Sequence, residues 1–194
     1  MNQLFEKAKQ AFEKACAEDP NFLISDDGQS LPAELVFGMR LTKWINILMP
    51  NAPDFLVLAA MSQHLYRWKT PRTSFPEGRT SYLKWRAQMA VFHAENGAKI
   101  LKEVGYDDDF IDKVHDINRK KGIKTDLYAQ TMEDALCLEF LEYQINDFVL
   151  KHDEEMMLGI ITKTWNKMSD NGHAEALKLK YSDRAGELIG IALK

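Results

Sequence analysis

Between Tyr66 and Arg86 the chain gathers Arg67, Lys69, Arg72, Arg79, Lys84 and Arg86 against a single acid, Glu77. Tyr66, Trp68, Phe75, Tyr82 and Trp85 are interleaved with these charges. Guanidinium forks grip phosphate or carboxylate oxygens in pairs, and aromatic rings offer faces for a base. The pattern therefore points to an anionic ligand, with Gln63, Arg67, Trp68, Arg72, Arg79, Trp85 and Arg86 as candidate contacts. The competing reading is structural: tryptophans anchor a loop whose arginines pair with the acid-rich stretch Glu133 to Glu155. A second basic run, Arg119, Lys120, Lys121 and Lys124, falls at a predicted helix end, where the helix dipole favours cations. Lys121 from this run joins the candidates if the two clusters converge.

Histidines and acids supply the remaining chemistry. His64, His93, His115, His152 and His173 form no H-E-x-x-H pattern and no i, i+4 pair, so metal-ligand spacing within one segment is absent. His64 follows Gln63 at the polar end of an apolar helix, and His93 lies in Phe92-His93-Ala94-Glu95. Each suits acid–base work or metal ligation, and each has the alternative of a hydrogen-bonded core residue. His115 and Asp116 are adjacent, and neighbours on a helix point roughly 100° apart. Glu133 and Asp134 are candidate acid–base carboxylates, and Glu139 and Glu142 share a helix side. Their alternative is a solvated or salt-bridged face. No Walker lysine loop, G-x-G-x-x-G or G-x-S-x-G occurs, and Cys137 reads as core.

The elements that must position these residues are helical. Leu4, Phe5, Ala8, Ala11, Phe12 and Ala15 share one face of a first helix, and Asp19-Pro20-Asn21 ends it. Ser25-Asp26-Asp27-Gly28 is a turn. A second helix starts after Ser30 and stops at Pro50, and a strongly apolar third begins at Asp54. Residues 70–80 form a loop, and a long helix runs from Ser81 to Val104 with Gly105 ending it. Asp107 or Asp108 opens a helix reaching Gly122. Thr131 with Asp134 forms a capping-box pattern before an apolar run from Ala135 to Leu150. Asp153 opens the next helix, followed by His173–Leu179 and a last helix after Ser182. No alternation at period two is convincing, and no repeat or linker divides the chain. The expectation is one all-α domain over residues 1–194.

Composition bounds the function classes. The chain has 194 residues, 45% apolar and 28% charged, enough to build a core. Its net charge of −4 disfavours bulk electrostatic binding of nucleic acid. Two cysteines, Cys16 and Cys137, make neither a disulfide framework nor a thiolate zinc site. Lys7, Lys9, Glu13 and Lys14 interrupt any signal peptide, and no apolar run approaches the roughly 20 residues of a membrane span. These features predict a cytoplasmic monomer or homodimer without a membrane partner.

Two resemblances follow from longer motifs. Gln63-His64-Leu65-Tyr66-Arg67-Trp68, Pro71-Arg72, Gly78-Arg79, Tyr82-Leu83-Lys84-Trp85-Arg86 and Phe92-His93-Ala94-Glu95 resemble the signature of the domain of unknown function 4202 family. Gln130-Thr131-Met132-Glu133-Asp134-Ala135, His152-Asp153-Glu154-Glu155 and Lys163-Thr164-Trp165-Asn166-Lys167-Met168-Ser169 extend that likeness over nearly the whole chain. The family implies no agreed activity. More distantly, the order of Leu58-Ala59-Ala60-Met61-Ser62, His93, Gly97-Ala98-Lys99-Ile100-Leu101 and Gly105-Tyr106 is similar to HD-domain phosphohydrolases. Those proteins hold a divalent metal with a His, a His-Asp pair and a later Asp. Here Phe37 or nearby Glu34 stands at the first His, Gln63-His64 replaces the pair, and Ala135-Leu136-Cys137-Leu138-Glu139 replaces the last Asp. The resemblance implies an HD-like orthogonal helix array with extra terminal helices, and a phosphorylated or nucleotide-like small-molecule ligand. It leaves His64 and His93 as metal ligands if a divalent metal binds. The alternative is a non-catalytic binding or protein-interaction module on the same fold.

Overall fold

The structure, a computed structural model, describes residues 3–193. Its first helix, α1 (Gln3–Cys16), buries Ala8, Phe12, Ala15 and Cys16, the helical spacing that the sequence pattern requires. A short hairpin follows, β1 (Phe22–Ile24) antiparallel to β2 (Ser30–Pro32), with Leu23 opposite Leu31. The chain is otherwise helical, so this hairpin departs from the expected uniform helicity. Three residues per strand are too few to show a period-two pattern. The turn expected at Ser25–Gly28 is its tip, where Gly28 adopts φ 84°.

Helices α2 (Ala33–Leu48) and α3 (Asp54–Ser62) pack against each other. A Cβ at Gly38 would lie 3.5 Å from the Met61 backbone, so the two approach closely. α3 buries Leu56, Leu58, Ala59, Ala60 and Ser62, as befits a central helix. Short 3-10 turns at Arg67–Lys69 and Arg72–Ser74 lead into α4 (Arg79–Val104), whose 26 residues extend roughly 39 Å. Gly105 ends α4 in the left-handed conformation. α5 (Asp108–Asn118) is capped by the Asp107 carboxylate and stops before Gly122. α4 lies along α5 and α1, and α5 also packs on α3.

The second half contains α6 (Leu127–Tyr143), α7 (Ile145–Lys151), α8 (Glu154–Trp165), α9 (Asp170–Ala176) and α10 (Asp183–Ala192). The start expected from Thr131 and Asp134 is corrected: Asp126 caps α6 by accepting from Ala129 N–H at 2.8 Å. Thr131 is inside the helix and donates its hydroxyl to Leu127 O. The apolar run to Leu150 is broken after Tyr143 into two helices. Asp153, Ser169 and Ser182 cap α8, α9 and α10. One connected core runs from Ala8 in α1 to Ile189 in α10. Among the described residues no helix is long and apolar enough to cross a membrane.

Candidate functional site

The site is built around the turn that leaves α3. Glu34, in the first turn of α2, is buried and accepts Tyr66 N–H at 2.8 Å on one carboxylate oxygen and Trp68 N–H at 3.1 Å on the other. Tyr66 takes the left-handed conformation, φ 58°, to present its N–H this way. Burial, reinforced by the nearby Asp19 charge, pushes the Glu34 carboxyl up to about 7 against the pull of these bonds. Arg67 sits between the two anchored amides. Its guanidinium lies 5.2 Å from the Trp85 ring centroid, and burial lowers its pKa. Trp85 is buried and fixed by its indole N–H to Thr70 O at 3.0 Å.

Behind Arg67 are the two histidines. His93 is buried, its Nδ1 2.7 Å from Leu65 O, and its ring centroid lies 6.0 Å from that of His64. Burial brings His93 down to about 4. His64 is also pushed well below the usual imidazole range, by burial and then by the positive field of Arg67, with Lys120 and Arg86 contributing. Both rings are therefore neutral at pH 7. His64 Nδ1 is shut off from solvent without a hydrogen-bond partner, and the Phe37 ring meets His64 edge-on at 4.8 Å. Gln63 does not reach the histidines; it donates to Asn118 Oδ1 at 2.9 Å, and Asn118 donates on to Ser62 Oγ at 2.9 Å. That chain ties the end of α3 to the end of α5.

The acids of α6 are not a solvated face. Glu133, Asp134 and Glu139 are all buried. Glu133 pairs with Lys120 at 2.6 Å and with Lys167 at 3.3 Å. Burial opposes its ionisation, but these two cations outweigh that and hold it below the usual carboxylate range. Asp134 accepts from Gln130, from Ser169 N–H at 2.8 Å and from the Ser169 hydroxyl, anchoring the start of α9. Glu139 lies 3.7 Å from Arg40 Nη1 and bonds Gln144 through Oε2, while Oε1 has no hydrogen-bond partner. Burial raises Glu139 to about 7.

The two basic clusters converge, through Lys120 rather than Lys121. Lys120 adopts φ 58° and turns inward to Glu133, within the field that reaches His64 and Arg86. Lys121 stays exposed on Asp116 at 2.6 Å. Arg72 spends its guanidinium on Phe75 O and Pro76 O, both at 2.9 Å, and so shapes its own loop. Arg79 is exposed at the start of α4, on a shallow depression that also includes Phe75, Gly78, Ser81 and Lys84. Arg86 is exposed, 5.8 Å from the Tyr82 ring. Trp68 contributes its backbone to Glu34, and its indole N–H is buried without a partner.

The expected pairing of these arginines with the Glu133–Glu155 stretch does not occur among the described residues. Glu133, Glu139, Glu142 and Glu154 are paired instead by Lys120 and Lys167, Arg40, Lys43, and Arg184. Arg67 and Arg86 are left facing aromatic rings and each other's charge. Sequence reasoning missed Arg40, Asn118 and the inward turn at Lys120. The buried acids of α6 were the available signal that cations from elsewhere had to reach them.

A divalent metal does not fit. Among the described residues no group of three or more His, Cys, Asp or Glu is arranged to hold one. Phe37, whose side chain has no donor atom, presents a ring edge to His64. Neither cysteine is a nucleophile: burial raises Cys16 and Cys137 to about 12.

No curated protein and no solved structure matches the chain. A family model does, over residues 6–189, a span that omits only the outer ends of α1 and α10 and takes in the whole Arg67–Lys120 cluster. The chain belongs to the family described as Domain of unknown function (DUF4202).

Proposed function

We propose that this protein binds a phosphorylated, nucleotide-like small molecule in the cytoplasm, on the face formed by Arg67, Trp85, Arg86 and Lys120. The observation that carries this reading is that Arg67 and Arg86 have no carboxylate partner among the described residues, although α6 supplies acids to other cations nearby. Like charges gathered at a half-buried position repel, and an anion that neutralises them recovers that energy. The exposed ring of Tyr82, 6.1 Å from that of buried Trp85, extends the face for a base.

The fold is read as a divergent relative of HD-domain phosphohydrolases. The contact between Phe37 and His64 supports this, because the resemblance puts the first metal-binding His at Phe37 or nearby Glu34 and the His-Asp pair at Gln63-His64. A phenyl ring at that point and the missing third ligand favour binding without metal-dependent hydrolysis.

Titration calorimetry with inorganic phosphate and with AMP tests the reading on the full chain. The wild type binds at least one of them, and Arg67→Ala or Arg86→Ala weakens binding about tenfold or more. Equal affinity in the wild type and both variants, or no binding of either probe, refutes it. Phosphate release from AMP in the same samples separates a hydrolase from a binding module.

A further inference from the structure

Arg67 is the residue on which the anion site depends, yet its own side chain makes no hydrogen bond among the described residues that would hold it in place. What is fixed is its backbone. The amides immediately before and after it, Tyr66 N–H and Trp68 N–H, both end on the Glu34 carboxylate, one on each oxygen, at 2.8 and 3.1 Å. Glu34 is itself anchored, since its own N–H donates to Asp19 Oδ2 at 3.1 Å and it lies at the mouth of α2. The turn it holds is an unfavourable one. Tyr66 at φ 58°, ψ 24° is in a region that non-glycine residues enter at a cost. A carboxylate that accepts from two amides of one turn offsets that cost and dictates the direction in which the intervening side chain leaves.

We infer that Glu34 is the positioning residue of the anion site: its bidentate grip on Tyr66 N–H and Trp68 N–H aims Arg67 at the ligand. This rests on the reading of Arg67 as the anion contact. Glu34 does not touch the ligand and carries the wrong charge to do so. It binds the backbone so that the cation beside it is presented with little loss of conformational freedom on binding. Removing the grip leaves Arg67 chemically intact but free to leave its place over Trp85.

The test uses Glu34→Asp, which keeps the charge but draws the carboxylate back by one methylene, so that it no longer reaches both amides. Glu34→Gln is the second variant: it keeps the length, but its amide group opposes one N–H donor with another. The first readout is the Arg67 Nε–Hε resonance in the NMR spectrum of the full chain. The second is a cycle of phosphate affinities over wild type, Glu34→Asp, Arg67→Ala and the double variant. The expected result is a displaced Arg67 resonance in either Glu34 variant. Affinity falls about tenfold in each single variant, with no further loss in the double. An unmoved resonance, or losses that simply multiply in the double variant, overturns the inference, because a merely structural Glu34 would act independently of Arg67. If wild type binds no phosphate, the anion-site reading fails, while the resonance still reports whether Glu34 sets the place of Arg67.

Discussion

A buried carboxylate with one oxygen lacking a hydrogen bond resists ionisation, and Glu139 is in that position, its Oε1 facing Arg40 only at 3.7 Å. Its folded value of about 7 lies above the ordinary 4.5. It therefore contributes stability that is full below pH 4.5 and lost as pH rises through 7. Glu139→Gln removes the titration. Urea unfolding of the two proteins should coincide near pH 4.5, and at pH 8 the variant should be more stable by on the order of 1 kcal/mol. A variant less stable than wild type at pH 8 would show that the Arg40 pair outweighs the burial. Single residues were also where the sequence was least legible. Arg67, Trp85, His64 and His93 were readable as a candidate set from their types alone. The choice of Lys120 over Lys121 was not, because it depends on one left-handed backbone position, φ 58° at Lys120. The role of Glu34 was hidden for a related reason: its partners are backbone amides more than thirty residues away, which no side-chain pattern announces.

At the scale of elements, α6 is unusual in burying three acids, and α9 is held by one of them. Asp134 receives the Ser169 amide and hydroxyl, and it comes so close to α9 that a Cβ at Gly172 would lie 2.8 Å from its carboxyl carbon. Contacts this short are not found in folded proteins, so Gly172→Ala must displace α9 from Asp134. The expected cost is about 1–3 kcal/mol in chemical unfolding. A change below a few tenths would mean that α9 shifts freely. The elements themselves were largely legible. Amphipathic spacing found α1, an apolar run found α3, and serine or aspartate caps marked α8 and α10. The start of α6 was misread because Thr131 and Asp134 mimic a capping box, while both in fact face inward and bond to Leu127 O and Ser169. The hairpin was missed because its stability comes from outside it: the Asp26 carboxylate at its tip is bound by Lys43 at 3.0 Å and by the Tyr143 hydroxyl at 2.6 Å.

For the whole molecule, the buried ionisable groups pull in opposite directions with pH. Glu34 and Glu139, raised to about 7, contribute stability that is lost as pH rises. His93, lowered from 6.5 to about 4, and His64 contribute stability that is full above pH 6.5 and lost as pH falls. Stability should therefore be greatest at about pH 5–6, where the imidazoles and these carboxyls are both mostly neutral. Thermal unfolding across pH 4–9 checks this, and a maximum above pH 8 would contradict the placement of Glu34 and Glu139. The same midpoint should be unmoved by a chelator, because no ligand set among the described residues couples a metal to folding. A fall after chelation would reveal a centre built from other groups. The acids of α6 also bear on how the chain comes together. Glu133 needs Lys120, which precedes α6, and Lys167, which follows it, while Asp134 needs Ser169. During synthesis, α6 emerges before Lys167 and Ser169 do, and until then Glu133 has Lys120 alone and Asp134 lacks both Ser169 donors. The settling of Asp134 therefore has to wait for the turn between α8 and α9.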